Sequence, residues 1–179
     1  MNPAWTVRTG RLVLTPVSGT DLPELIALKA DPGVFAIMVG GVRNAAQTAA
    51  DLAQDVADWG RQGFGVWSIR EAGRFVGIVA LQQRADGRGV ALRFALEHEA
   101  QGRGLAREAA AAALRFGHDQ AGLDRIVAVA REDNFASRTV LGAIGMRQAE
   151  AFVHNGFRRV LYESRRSRDL TFERVIRVF

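Results

Sequence analysis

A strand that runs into a turn of glycines and straight out into an alanine-rich helix leaves few folds open to a chain. Residues 94–108 read F-A-L-E-H-E-A-Q-G-R-G-L-A-R-E and continue as A-A-A-A-A-L-R-F. Glycines strip side chains from the turn and expose backbone N–H groups, and a helix N-terminus adds donors with a favourable dipole. Such a strand–turn–helix unit is an anion cradle suited to pyrophosphate, with Arg103 and Arg107 placed to add charge from its flanks.

The rest of the pattern sets this unit inside one α+β domain. Arg11–Thr15 alternates as a half-buried strand and precedes a helix in which Asp21 and Glu24 have capping-box spacing, Pro23 sits in the first turn and Asp31-Pro32 marks the end. A second helix is expected from Asn44 to about Trp59, with Leu52, Val56 and Trp59 on one face and the glycines at 60, 63 and 65 stopping it. G-V-W-S-I-R, R-F-V-G-I-V-A-L and V-A-L-R-F-A-L, parted by glycine turns, read as an antiparallel meander. Gly117 and Gly122 are expected to close the alanine-rich helix. L-D-R-I-V-A-V-A (123–130) is apolar on both faces, as a central strand requires. A further helix over Phe135–Ile144 and a hairpin at Asn155-Gly156 complete the series. The sum is a mixed, mostly antiparallel central sheet flanked by helices. A single domain is expected over residues 1–168, and the tail 169–179 is left open between docking and disorder.

Composition narrows the chemistry. The net charge of +5 rests on 24 basic residues, all arginine but Lys29, yet they are scattered rather than gathered on one face, which argues against nucleic acid as a partner. With no cysteine, the 179-residue chain has no disulfide framework, thiol nucleophile or thiolate metal ligand. The N-terminus shows no apolar signal segment, and no apolar run approaches the roughly 20 residues that span a bilayer, so a cytoplasmic protein without membrane contact is expected. A Walker A loop is absent, and the dinucleotide fingerprint wants a small residue where Arg107 stands. No G-x-S-x-G supports a serine hydrolase, and the acidic E-H-E lacks a second ligand cluster, so no metal is expected.

Q-G-R-G-L-A at 101–106 resembles motif A of the GNAT N-acetyltransferase superfamily, written Q/R-x-x-G-x-G/A. N-F-A-S-R-T-V-L-G-A-I-G-M at 134–146 is similar to the family's second acetyl-CoA segment. The opening T-G-R-L-V-L-T-P, the D-P after the first helix and the strand G-F-G-V-W-S-I-R resemble the RimJ/RimL branch, which acetylates N-terminal amines of ribosomal proteins. The likeness covers about residues 6 to 164.

That resemblance implies a fold whose fourth and fifth strands splay apart, with the pantetheine arm of acetyl-CoA between them. It implies that the backbone of Phe94, Ala95 and Leu96 pairs with pantetheine and that one of their N–H groups polarises the thioester. Gln101, Gly102, Arg103, Gly104, Leu105, Ala106 and Arg107 would take the pyrophosphate, Asn134 would bond the pantetheine arm and Arg138 would approach the phosphates. Ser137 matches the proposed acid of RimL-like members; the alternative is a helix-start residue that merely bonds backbone. The implied partners are acetyl-CoA and a primary amine, either a peptide N-terminus or a small molecule, in a monomer or homodimer. By family analogy the amine pocket lies near Gly33–Val42 and the hairpin at Asn155.

Departures stand beside the match. Positions where relatives often carry a general base hold Ala91 and Val129, and the position of a frequent tyrosine acid holds Leu141. Glu97, His98 and Glu99 either relay a proton through water or form a solvated loop; His118 and His154 read as a helix-end cation and a hairpin-edge residue. Two activities therefore stay in view: an acetyltransferase working by direct attack, and a catalytically weak CoA-binding regulatory module.

Overall fold

The computed structural model describes residues 2–38 and 40–167. Its strands are β1 (Val7–Arg8), β2 (Leu12–Pro16), β3 (Val66–Glu71), β4 (Arg74–Gln83), β5 (Val90–Leu96), β6 (Arg125–Arg131), β7 (Arg147–His154) and β8 (Phe157–Arg165). They form one sheet in the order β1-β2-β3-β4-β5-β6-β8-β7. The pair β5–β6 is parallel and its neighbours are antiparallel. Five helices accompany the sheet among the described residues: α1 (Leu22–Ala30), α2 (Pro32–Phe35), α3 (Ala45–Gln62), α4 (Leu105–Asp119) and α5 (Phe135–Ala143).

Local chemistry placed most boundaries where the pattern put them. Asn44 caps α3 by accepting from Gln47 N–H at 2.9 Å while the Gln47 side chain returns to Asn44 N–H at 3.0 Å, an exchange worth about 1 kcal/mol. Asn155 and Gly156 both take positive φ, 50° and 75°, and close the β7–β8 hairpin. Four expectations need correction. Gly60 lies inside α3, which ends at Gly63 with φ +74°. The capping box before α1 is formed by Ser18 and Asp21, while Asp21 and Glu24 together receive Arg70 at 2.8 and 2.6 Å. Val56 is exposed, because the buried face of α3 is set by Thr48, Leu52, Asp55 and Trp59, one helical step away. Gly117 lies inside α4 rather than ending it: a Cβ there would stand 2.5 Å from Ile126 Cδ1, so the glycine lets helix and sheet approach. The expectation for 169–179 lies outside the described residues.

The sheet carries α4 and α5 on one face and α1 and α2 on the other. Leu92 and Leu96 pack with Leu105, Ala109 and Leu141 on the first face, whereas Ala95, Ile78 and Ala80 pack with Leu25, Leu28 and Val34 on the second. Helix α3 serves both: Leu52 joins the second cluster, while Trp59 reaches the first. There Trp5, Trp59, Trp67 and Phe116 form a chain of ring contacts, with Trp59 and Trp67 centroids 4.7 Å apart, edge to face.

Candidate active site

Strand register decides which backbone groups of β5 are free. At the two ends of its ladder with β4, Glu97 N–H donates to Val76 O and Arg84 N–H to Gly89 O, each at 3.0 Å, with no shift between. Antiparallel alternation then commits the polar groups of Ala95 to β4 and turns those of Leu92, Phe94 and Leu96 toward β6. On that side β5 pairs with β6 only at Val90 and Ala91, opposite Ile126 and Val127, and the strands then part. The opening is a cleft of about 540 Å³. Gln101 Nε2 donates to Leu96 O at 3.0 Å, where β5 leads into the turn.

Past Leu96 the chain makes the glycine turn. Gly102 and Gly104 sit at φ +71° and +78°, where a side chain is disfavoured, and a Cβ at Gly102 would face open space. Gly104 is the N-cap of α4, and the first intrahelical bond runs from Glu108 N–H to Gly104 O at 3.2 Å. The N–H groups of Leu105, Ala106 and Arg107 lie ahead of that bond without intrahelical acceptors. Side-chain ties hold the turn, beside the Arg11 backbone N–H that donates to Glu108 at 2.9 Å. Arg11 Nη1 donates to Arg103 O at 2.9 Å and its Nε to Glu108 at 2.7 Å; Thr9 Oγ1 donates to Glu108 at 2.6 Å, and Arg103 pairs with Glu71 at 2.9 Å. Desolvation pushes the Glu108 carboxyl up, but the bonds from Thr9 and Arg11 outweigh it and hold the group below its ordinary value.

Across the cleft, Asn134 caps α5, its Oδ1 accepting from Ser137 N–H at 3.1 Å. The Ser137 backbone is thus used by the cap, whereas its hydroxyl makes no hydrogen bond among the described residues and lines the cleft. Phe94, Ala95, Leu96, Gln101, Gly102, Gly104, Leu105, Ala106, Arg107 and Asn134 line the same cleft. Arg103 and Arg138 do not join them. Arg103 is drawn to Glu71, and Arg138, a residue further round α5 than Ser137, donates to Tyr162 Oη at 3.1 Å and Glu132 O at 2.8 Å.

Ala91, Val129 and Leu141 all line the cleft, and among its described lining residues there is no Asp, Glu or His. The loop after β5 takes the solvated reading: Arg74 pairs with Glu97 and Glu99 at 3.2 and 2.7 Å, and His98 lies 3.3 Å from Asp31. His118, at the end of α4, donates from Nδ1 to Leu123 O at 2.6 Å, and exposed His154 ends β7. The apolar segment after α1 does reach the site, through Gly33, Val34, Ile37 and Met38. Sequence reading missed the Thr9–Arg11–Glu108 ties and the lining arginines Arg93 and Arg159. Arg93 did carry a signal, a charge inside the apolar strand V-A-L-R-F-A-L. Among the described residues no cluster of three or more His, Cys, Asp or Glu is placed to hold a metal, and no helix is long and apolar enough to cross a membrane.

The sheet is thus split between a parallel pair, with a glycine turn and helix N-terminus at its mouth. The family described as the acetyltransferase (GNAT) domain matches residues 11–147, and the chain belongs to that family. Solved structures agree in fold. A GNAT-family acetyltransferase from Bacillus anthracis superposes with TM-score 0.78 at 20% identity, over 90% of this chain and 98% of that one. An acetyltransferase from Agrobacterium tumefaciens str. C58 gives 0.78 at 26% identity, over 89% and 93%. RimL, a ribosomal L7/L12 alpha-N-protein acetyltransferase solved with coenzyme A, gives 0.76 at 16% identity, over 89% and 97%. A comparison with curated proteins finds no match.

Proposed function

We propose that this GNAT enzyme is an acetyl-CoA-dependent N-acetyltransferase acting on a primary amine, a peptide N-terminus or a small molecule, by direct attack in a ternary complex. The observation that carries the reading is the free β5 edge leading directly into the glycine turn, one anchorage suited to a pantetheine arm and one suited to a pyrophosphate. The residues fit the co-substrate: backbone groups of Phe94 and Leu96 face the gap, and Gly102 leaves open space beside unspent N–H donors. RimL, similar in fold, was solved with coenzyme A. When bound, acetyl-CoA supplies the thioester carbonyl and a thiol leaving group.

Phe94 and Leu96 hold the extended arm as a neighbouring strand would, and a Phe94 or Leu96 N–H directed at the carbonyl stabilises developing negative charge. The N–H groups of residues 102–107, with Arg107 beside them, hold the pyrophosphate. Asn134, whose oxygen is spent on the α5 cap, offers its amide nitrogen to the arm. Ser137 Oγ donates its proton to the departing sulfur and regains one, through water, from the nitrogen that has attacked. With no carboxylate or imidazole lining the cleft, the amine has to arrive neutral, which an α-amino group of pKa near roughly 8 does in useful fraction at pH 7.

The test is thermal stabilisation by acetyl-CoA against NAD and ATP, followed by thiol release across a panel of peptides and small amines. Acetyl-CoA alone should stabilise strongly, and Ser137→Ala should lower kcat by roughly ten- to a hundredfold with acetyl-CoA affinity kept within a few-fold. Equal stabilisation by all three ligands overturns the reading. Tight acetyl-CoA binding with no turnover of any amine points instead to the regulatory module that the bare cleft also allows. A Ser137→Ala variant silent in kcat but less stable reduces the serine to a structural role.

A further inference from the structure

Five arginines, Arg84, Arg93, Arg107, Arg131 and Arg159, line the cleft, and Arg107 belongs to the glycine turn. Two have carboxylate partners: Arg84 pairs with Asp86, and Arg131 with Asp133 at 2.5 Å. Arg93 and Arg159 have no carboxylate partner among the described residues, and Arg159 Nε is buried without an acceptor. The carboxyls whose charge Arg93 feels are both engaged, Asp55 by Gln82 Nε2 at 2.9 Å and Asp86 by Arg84 Nε at 2.8 Å. Burial, and after it the like charge of Arg84, draws the Arg93 guanidinium below its ordinary value.

Strand alternation puts the two on one side of the sheet. Arg93 shares the face of Ala91 and Ala95; Arg159 shares that of Leu161, which packs with Ala91 and Val127. They stand on either side of the gap, on the face opposite α4 and the glycine turn, so the pyrophosphate cradle does not use them. Val34, Ile37 and Met38 supply an apolar wall nearby. Cations shielded from water without an anion are costly, and a guanidinium fork matches planar or tetrahedral oxyanions.

Building on the acetyl-transfer reading, we infer that the acceptor is a primary amine that also carries an oxyanion, received by Arg93 and Arg159 while the amine points into the β5–β6 gap. The two residues are specificity determinants: they sort acceptors and leave acetyl-CoA alone.

The experiment compares kcat/KM, at saturating acetyl-CoA, for two matched series of amines, one carboxylate-bearing and one phosphate-bearing, each beside its own neutral amide. Acetyl-CoA affinity is measured separately by calorimetry. At least one acidic series should exceed its amide by about tenfold or more, and the preferred acid tells carboxylate from phosphate. Arg93→Gln and Arg159→Gln should each collapse that ratio toward one with acetyl-CoA affinity unchanged; should one fail to fold, the other answers alone. Equal rates for acid and amide, a preference for the amide, no transfer to either, or a ratio surviving both substitutions, each with acetyl-CoA still bound, overturns this inference and leaves acetyl-CoA binding standing. Loss of acetyl-CoA binding by the unaltered protein overturns the function proposed above.

Discussion

The two faces of the cleft are finished to different degrees. Around the glycine turn the ties close on one another: Arg11 meets Glu108 and the Arg103 carbonyl, Arg103 meets Glu71, and Gln101 meets Leu96. On the opposite face Arg93 and Arg159 are unanswered, Ile37 is 47% exposed, and Asp55 lies buried on α3 with its carboxyl pushed up to about 6. A site whose own side chains satisfy each other is preorganised for one fixed ligand. The other keeps charges in reserve for something the chain does not contain.

Breaking the finished face should produce the largest effect. Gly104→Glu places a side chain at φ +78° and a negative charge where backbone donors converge, so acetyl-CoA affinity should fall by at least about a hundredfold in calorimetry. Normal affinity in a folded variant would move the cradle elsewhere.

Next comes the buried carboxyl beneath the open face. Desolvation is the main cause of the raised Asp55 pKa, partly countered by the charge of Lys29. The group ionises near 3.8 in the unfolded chain and near 6 in the folded one, so the folded state binds more protons between those values. Stability therefore falls as pH rises through that window and is level above it. Asp55→Asn, which keeps an acceptor for Gln82, should flatten the curve and stabilise the protein at pH 8 by up to about 2–3 kcal/mol. Denaturant melts of both proteins at pH 4, 6 and 8 check this; an unchanged pH dependence in the variant counts against it.

The smallest effect concerns the ties themselves. Arg11→Ala removes bonds to Arg103 O and Glu108 without touching the cleft, so acetyl-CoA should bind roughly three- to tenfold more weakly through a looser turn. Turnover at saturation should stay near normal. A drop in kcat with affinity intact would mean that Arg11 acts on the chemistry rather than on the cradle.

What the sequence disclosed follows the range of the forces involved. Caps, turns and periodicity are local, so the start of α3 at Asn44, the β3–β5 meander and the Asn155-Gly156 hairpin were readable, as were Gly102 and Gly104. Which partner an arginine finds is not local. Arg103 and Arg138 looked like phosphate ligands by position, yet Glu71 and Tyr162 claim them from strands far off in sequence. Asp21 had capping-box spacing with Glu24 until Arg70, brought close by β3, took both. Likewise the backbone groups of Phe94, Ala95 and Leu96 are separated by ladder parity, fixed only once β4 pairs with β5.

The aromatic chain of Trp5, Trp59, Trp67 and Phe116 holds all three tryptophans of the protein, and none of them lines the cleft. The single tyrosine, Tyr162, stands apart on β8, held by Arg138. Ultraviolet spectroscopy is thereby divided by geography. Indole emission reports how the N-terminal segment, α3 and β3 close upon each other, whereas phenol absorbance reports the β6–β8 half, each without an engineered label.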